Sequence, residues 1–252
     1  MKAITILSLI ILMGLGNLNA QVAITDDGSN ADGSAMLEVK STSKGFLPPR
    51  LSNGTILSMS SPAEGLVVYN TSSKTLNVYN GTNWVDMTGN VVQPLVGDFY
   101  QGGIVFYVDG SGGGLVCTIT DQSTGAKWGC NGTAINGADG TAIGTGAQNT
   151  IDIEADCTTS GIAADVCANL SSNGYTDWFL PSKDELNRMY QNKAAINATA
   201  QANGGSPFAD DYYWSSSETG TTNAWRQDFS NGNQYSYYAK DNMDNVRAIR
   251  AF

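Results

Sequence analysis

Apolar and polar positions alternate most regularly just before the middle of the chain. In Gly102-Gly103-Ile104-Val105-Phe106-Tyr107-Val108-Asp109, the side chains of Ile104, Phe106 and Val108 share a face. After the turn Gly110-Ser111-Gly112-Gly113-Gly114, Leu115, Cys117 and Ile119 alternate likewise. A period of two predicts a hairpin with one buried side. Earlier, Leu66-Val67-Val68-Tyr69 and Leu76-Asn77-Val78-Tyr79 flank the turn Asn70 to Lys74, and Asn80-Gly81 precedes Trp84-Val85. These runs predict a small meander. The pattern changes at Leu180-Pro181-Ser182-Lys183-Asp184-Glu185-Leu186. Ser182 and Glu185 have capping-box spacing, and Leu186, Met189 and Tyr190 repeat at helical intervals, predicting a helix from Lys183 to Asn192. Ala-rich Ile162 to Leu170 predicts a short helix carrying Cys167. Beyond Phe208, the segments 213–218, 224–229 and 245–250 read as strands joined by turns such as Ser230-Asn231-Gly232-Asn233. Residues 120 to 160 have little periodicity and read as a structured loop. Together these elements predict an α+β fold whose terminal meander pairs with the Ile104 and Leu115 strands.

Domain organisation follows from texture. Met1-Lys2, the apolar stretch Ile4 to Leu18 and small Ala20 before Gln21 predict a cleaved secretory signal over residues 1–20. The stretch is too short to span a bilayer as a helix, and no cysteine near the cleavage site provides a lipoprotein anchor. Export to the medium or the outer cell surface follows. A polar seam at Thr88 to Pro94 separates a β-rich segment, 21–95, from a domain spanning 96–252. The first part has few large apolar side chains, so its stability requires the second domain or identical neighbours.

Composition narrows the chemistry. The chain has 252 residues, 13 Lys plus Arg against 23 Asp plus Glu, a net charge of −10 and no histidine. Histidine-dependent nucleophilic triads and imidazole metal sites are excluded, and the acidity opposes nucleic acid as a partner. In an exported chain, Cys117, Cys130, Cys157 and Cys167 read as two disulfides of open connectivity rather than a zinc site, since no CxxC pair occurs. Asp27 to Gly33 fails as a calcium loop because the acidic residues are out of register, and the glycines at 110–114 lack the residues of a phosphate loop. Asp184 and Glu185 read as helix-capping acids.

The second domain carries a family resemblance. Gly102-Gly103-Ile104-Val105-Phe106, Gly174-Tyr175-Thr176-Asp177-Trp178-Phe179-Leu180-Pro181-Ser182-Lys183-Asp184-Glu185-Leu186, Tyr213-Trp214-Ser215-Ser216-Ser217-Glu218, Trp225-Arg226-Gln227-Asp228-Phe229-Ser230-Asn231-Gly232 and Val246-Arg247-Ala248-Ile249-Arg250 together resemble the Lcl C-terminal domain family, over roughly residues 97–252. The resemblance implies a C-type-lectin-like α+β fold, adhesive binding of glycans and no enzymatic activity. Gly45-Phe46-Leu47-Pro48-Pro49-Arg50 and its surroundings, roughly 30–88, resemble a trimerising or stalk module of bacterial surface and phage tail-fibre-like chains. The founding adhesin is associated with sulfated glycosaminoglycans, which need basic surface. Here Arg226, Lys240, Arg247 and Arg250 are the candidates for such a patch, with pairing to Asp228, Asp241 and Asp244 as the simpler expectation.

The function expected is therefore an exported, non-enzymatic surface binding protein that recognises glycan or extracellular matrix through aromatic and polar loops. The candidate contacts are Trp214, Glu218, Trp225, Asn231, Asn233 and Tyr237, with the tryptophans equally suited to a core. The alternative is a structural fibre or stalk subunit, assembled as a homotrimer, with no small-molecule ligand. A carboxylate-only glycosidase is disfavoured because Glu185 serves as a cap, leaving Glu218 alone. No cofactor is required; calcium at Asp241-Asn242-Met243-Asp244-Asn245 is the one that composition admits, and no complete ligand set is visible.

Overall fold

The structure, a computed structural model, describes residues 21–252. The expected signal segment lies outside them. The chain divides into two compact units, one ending at Pro48 and one running from Pro49 to Phe252. The seam expected near residue 95 falls within the second unit. Among the described residues, no helix is long and apolar enough to cross a membrane.

In the first unit, β1 (Val22–Thr25) and β2 (Leu37–Lys40) pair in parallel. Val22 lies opposite Leu37 and Ile24 opposite Val39. Strand alternation then places these four side chains on one face, and all four are exposed.

The second unit begins with a four-stranded sheet ordered β3-β4-β5-β6: β3 (Arg50–Leu51), β4 (Val67–Asn70), β5 (Thr75–Tyr79) and β6 (Trp84–Asp86). Its turns form where asparagine carboxamides bind the backbone ahead. Asn70 accepts from the N–H groups of Ser72 and Ser73, and Asn80 from those of Thr82 and Asn83. The short helix α1 (Asn53–Leu57) buries Ile56 against Val68 and Trp84. Asn53 donates to the Asp98 carboxylate at 2.6 Å, tying this sheet to the next.

That next sheet, ordered β15-β9-β8-β7, joins β7 (Phe99–Tyr100), β8 (Gly103–Val108) and β9 (Gly114–Cys117) to the C-terminal β15 (Ile249–Ala251). Of the terminal meander expected to pair with these strands, only β15 does so, with Ile249 opposite Cys117; the meander itself belongs to a separate sheet. The last sheet, ordered β10-β14-β11-β12-β13, contains β10 (Ser123–Lys127), β11 (Tyr212–Glu218), β12 (Asn223–Asp228), β13 (Gln234–Ala239) and β14 (Met243–Val246). Helices α2 (Gly146–Asp156), α3 (Ala163–Ala168), α4 (Lys183–Gln191) and α5 (Lys193–Ala202) pack on these two sheets. The capping box at α4 is complete: Ser182 accepts from Glu185 N, and Glu185 accepts from Ser182 N.

The C-type-lectin-like α+β expectation is corrected by this architecture. Among the described residues, four sheets and 30% strand stand against 18% helix, and the helices are few and small, so the described fold has more sheet than helix. Strand-forming Tyr, Trp, Val and Thr separated by Gly and Asn turns dominate the chain, and helical periodicity is confined to short stretches. The expectation of two disulfides is likewise corrected. Cys130 and Cys157 are bonded, whereas Cys117 and Cys167 are free, buried thiols in two different apolar clusters. Burial pushes the Cys117 thiol up to about 12, and raises that of Cys167 as well.

Candidate functional site

The meander β11-β12-β13 gathers the densest aromatic surface of the molecule, because a single irregularity changes which residues share a face. On β12, Ala224 pairs with Tyr238 and Arg226 with Tyr235, so one extra residue of β13 is accommodated between these pairs. The bulge brings Tyr235 and Tyr238, three apart in sequence, to the same side of the sheet. Tyr212 on β11 joins them, its ring centroid 6.1 Å from each of the two. Tyr237 stacks on Tyr238 at 5.3 Å and is 67% exposed. The result is a platform of four tyrosines, three of them on β13, the edge strand of its sheet, and Tyr212 on β11.

The platform is built around one cation. The Arg226 guanidinium lies 3.6 Å from the Tyr212 ring centroid and 3.2 Å from that of Tyr238, and donates to both oxygens of Asp244 at 3.1 and 3.3 Å. Flat guanidinium and flat rings stack, which fixes the rotamers of the inner tyrosines. Burial raises the pKa of Asp244, and the neighbouring Arg226 opposes that shift. The turn after β12 is equally ordered. Asp228 accepts from Ser230 N, Ser230 Oγ and Asn231 Nδ2, and Asn231 Oδ1 accepts from Asn233 N. Gly232 has φ +85°, and a Cβ there would collide with the Tyr190 ring, so the turn requires glycine.

The far end of β13 is anchored internally. Lys240, fully buried, forms an ion pair with Glu218, donates to Thr133 O at 2.8 Å and lies 4.5 Å from the centre of the Trp128 ring. Glu218 also accepts from Ile135 N at 3.0 Å. Arg247 pairs with Asp121, and Arg250 makes a two-pronged pair with Asp177. These three and Arg226 are all buried and each is paired with an acid, so they form no basic patch. Of the partners expected for them, only Asp244 is used.

The expected contact residues separate into two groups. Trp214 lies in the core, 0% exposed, its indole N–H donating to Ala126 O, and Glu218 is held by Lys240, so neither offers a surface to a ligand. Tyr237, Asn231 and Asn233 are exposed, and Trp225 is half-buried with the Lys183 ammonium 5.2 Å from its ring centre. Tyr212, Tyr235, Tyr238 and Arg226 complete the site. The run Tyr235-Ser236-Tyr237-Tyr238 is the sequence signal for two of these, but strict alternation separates Tyr235 from Tyr238. In the segment considered for calcium, Asp244 is taken by Arg226, and Asn245 donates to Tyr212 O. Among the described residues, no three His, Cys, Asp or Glu side chains gather as a metal site. Glu185 accepts from Ser182 N and Gly144 N, each at 2.7 Å, and its burial pushes its pKa up.

Comparison with known proteins gives two family matches. Residues 117–250 match the Lcl C-terminal domain, and residues 25–99 match a phage tail like trimerisation region. No curated protein matches the chain. Among solved structures, the chain is similar to the crystal structure of a fimbrial protein from Bacteroides ovatus ATCC 8483, at 16% identity and a TM-score of 0.46. That similarity covers 75% of this chain and 48% of the fimbrial protein, so the chain spans about half of its relative's length.

Proposed function

The chain belongs to the Lcl C-terminal domain family, and from that premise we propose that it is an exported, surface- or fibre-associated binding protein whose tyrosine platform holds glycans. The observation that carries this reading is the ordered cluster Tyr212, Tyr235, Tyr237 and Tyr238 around Arg226, with Tyr237 67% exposed. Tyrosine rings present apolar faces to the C–H faces of sugars, and their hydroxyls meet sugar hydroxyls. Internal pairing of Arg226, Lys240, Arg247 and Arg250 favours uncharged glycans over sulfated ones. Binding of the full chain to an immobilised glycan array tests this. Retention of neutral glycans is expected, with loss in Tyr237→Ala. Equal retention by Tyr237→Ala, or no retention by the folded protein, removes the proposal.

A second reading concerns assembly. The exposed face Val22, Ile24, Leu37 and Val39 belongs to a two-stranded sheet, which is too small to be stable in water without a covering partner. Residues 25–99 match a trimerisation region, and association of three copies through residues 21–95 would cover that face. Sedimentation equilibrium of the full exported chain checks it; a monomer at micromolar concentration removes this reading.

A further inference from the structure

A cavity lies in the same unit as the platform, on a different sheet and sharing no residue with it. It is a cleft of about 690 Å³ between α1 and the β7–β8 turn, with Tyr175 and Asn173 as its other wall. Its volume lies within the roughly 300–1,000 Å³ typical of small-ligand sites.

The walls are held rigidly. Gln101-Gly102 and Asn173-Gly174 are the central pairs of two tight two-residue turns, closed by Tyr100 opposite Gly103 and Ser172 opposite Tyr175, and positive φ at both central residues is what such turns require. Contacts between the two turns fix them against each other. Asn173 Nδ2 donates across the cleft base to Gly102 O at 2.8 Å, and Tyr175 packs so closely on Gly102 that a Cβ there would lie 2.6 Å from its ring. Arg250 sits on the Tyr175 ring at 3.9 Å, clasps Asp177 with two hydrogen bonds and donates to Gln101 O at 3.0 Å. One guanidinium thereby holds both walls, and its charge is cancelled by Asp177.

The lining suits a particular chemistry. Tyr100 and Tyr175 supply ring surface, and the Tyr100 hydroxyl accepts from Gln101 Nε2, leaving its own proton for a further acceptor. Among the described residues, Tyr175 Oη and Asn173 Oδ1 make no hydrogen bond within the protein. An uncharged cleft with aromatic walls and hydroxyl and amide groups not fully used within the protein matches a ring that has C–H faces and hydroxyl edges. We infer that the cleft formed by Tyr100, Gln101, Gly102, Asn173 and Tyr175 is a second binding site, for a neutral saccharide, independent of the tyrosine platform.

The test is NMR titration of the full exported chain with four neutral hexasaccharides: cellohexaose, maltohexaose, mannohexaose and chitohexaose. At least one is expected to shift the backbone amides of Gln101, Gly102 and Asn173. Ser58→Trp places a bulky ring at the exposed rim of the cleft, and Asn173→Gly removes the carboxamide while keeping a residue suited to positive φ. Each is expected to weaken that response by about tenfold or more, a loss of one or two ligand contacts. Tyr237→Ala is expected to leave it unchanged. Absence of shifts at these amides for all four sugars overturns the inference, as does an unaltered response in Ser58→Trp. Loss of all binding in Tyr237→Ala with full binding in Ser58→Trp assigns the sugar to the platform alone, which overturns the cleft and leaves the first proposal standing.

Discussion

Lys240→Met is the most informative single perturbation, because the ammonium it removes sits at the anchored end of the platform strand. The wild-type side chain is completely buried, Glu218 is 8% exposed, and the pair is completed by Thr133 O, the Trp128 ring and the Ile135 N–H. Methionine fills much the same volume but leaves the Glu218 carboxylate buried with only the Ile135 donor. Leaving one ion of a buried pair uncompensated costs about 3–5 kcal/mol. For a chain of this size that corresponds to a fall in Tm of roughly 6–20 °C. Glu218→Gln strands the ammonium instead and is expected to cost a similar amount. The double variant removes both charges, while glutamine keeps an acceptor for Ile135. It is therefore expected to be no less stable than either single variant, a non-additivity of about 3 kcal/mol. Urea unfolding followed by tryptophan fluorescence measures all four proteins. Single losses below about 1 kcal/mol, the size expected of a solvent-screened pair, or strictly additive losses would refute the reasoning.

Other outcomes follow from the same contacts. Without reductant, the native protein is expected to show no reactive thiol and the unfolded protein two per chain, from Cys117 and Cys167; none after unfolding would mean a second disulfide. Replacing Cys130 and Cys157 together by serine opens a loop closed across 27 residues and is expected to cost about 3–4 kcal/mol in urea unfolding, on the loop-entropy relation. The Asp86 carboxyl is held at about 2 by the Thr88 hydroxyl and by the Thr88 and Asn90 N–H groups. Because this pKa is lowered on folding, its contribution to stability is present above the ordinary value of 3.8 and is lost as pH falls through about 2. Carboxyl carbon NMR should find that low midpoint, and Thr88→Ala should move it towards 3.8; a wild-type midpoint already near 3.8 contradicts the assignment. Gly232→Ala forces a side chain into the Tyr190 ring at positive φ and is expected to destabilise by about 1–3 kcal/mol in the same urea assay, whereas an unchanged midpoint would mean that the turn is not as described.

Local features were legible because their causes are local. The α4 capping box needs only Ser182 and Glu185 three residues apart, and the hairpins β4-β5 and β8-β9 need only alternation flanking a turn. Helix α2 was hidden in the aperiodic stretch 120–160, since its first turn carries neither an acidic residue nor a side-chain cap. Strand β13 was hidden by its bulge, and with it most of the platform.

By itself, the amino-acid order determined where the chain turns, which short stretches bury one face, the acidic and histidine-free chemistry, and the family of the second domain. Tertiary structure alone decided that Trp214 enters the core while Tyr237 stays outside, which cysteines bond, and which acid meets each cation. Arg226 meets Asp244 across 18 positions, Lys240 meets Glu218 across 22, Arg250 meets Asp177 across 73 and Arg247 meets Asp121 across 126. Turn and cap energies act over a few residues and can be read from spacing. Partners this far apart are selected by the path of the chain, through desolvation that makes each buried charge require an opposite one within reach.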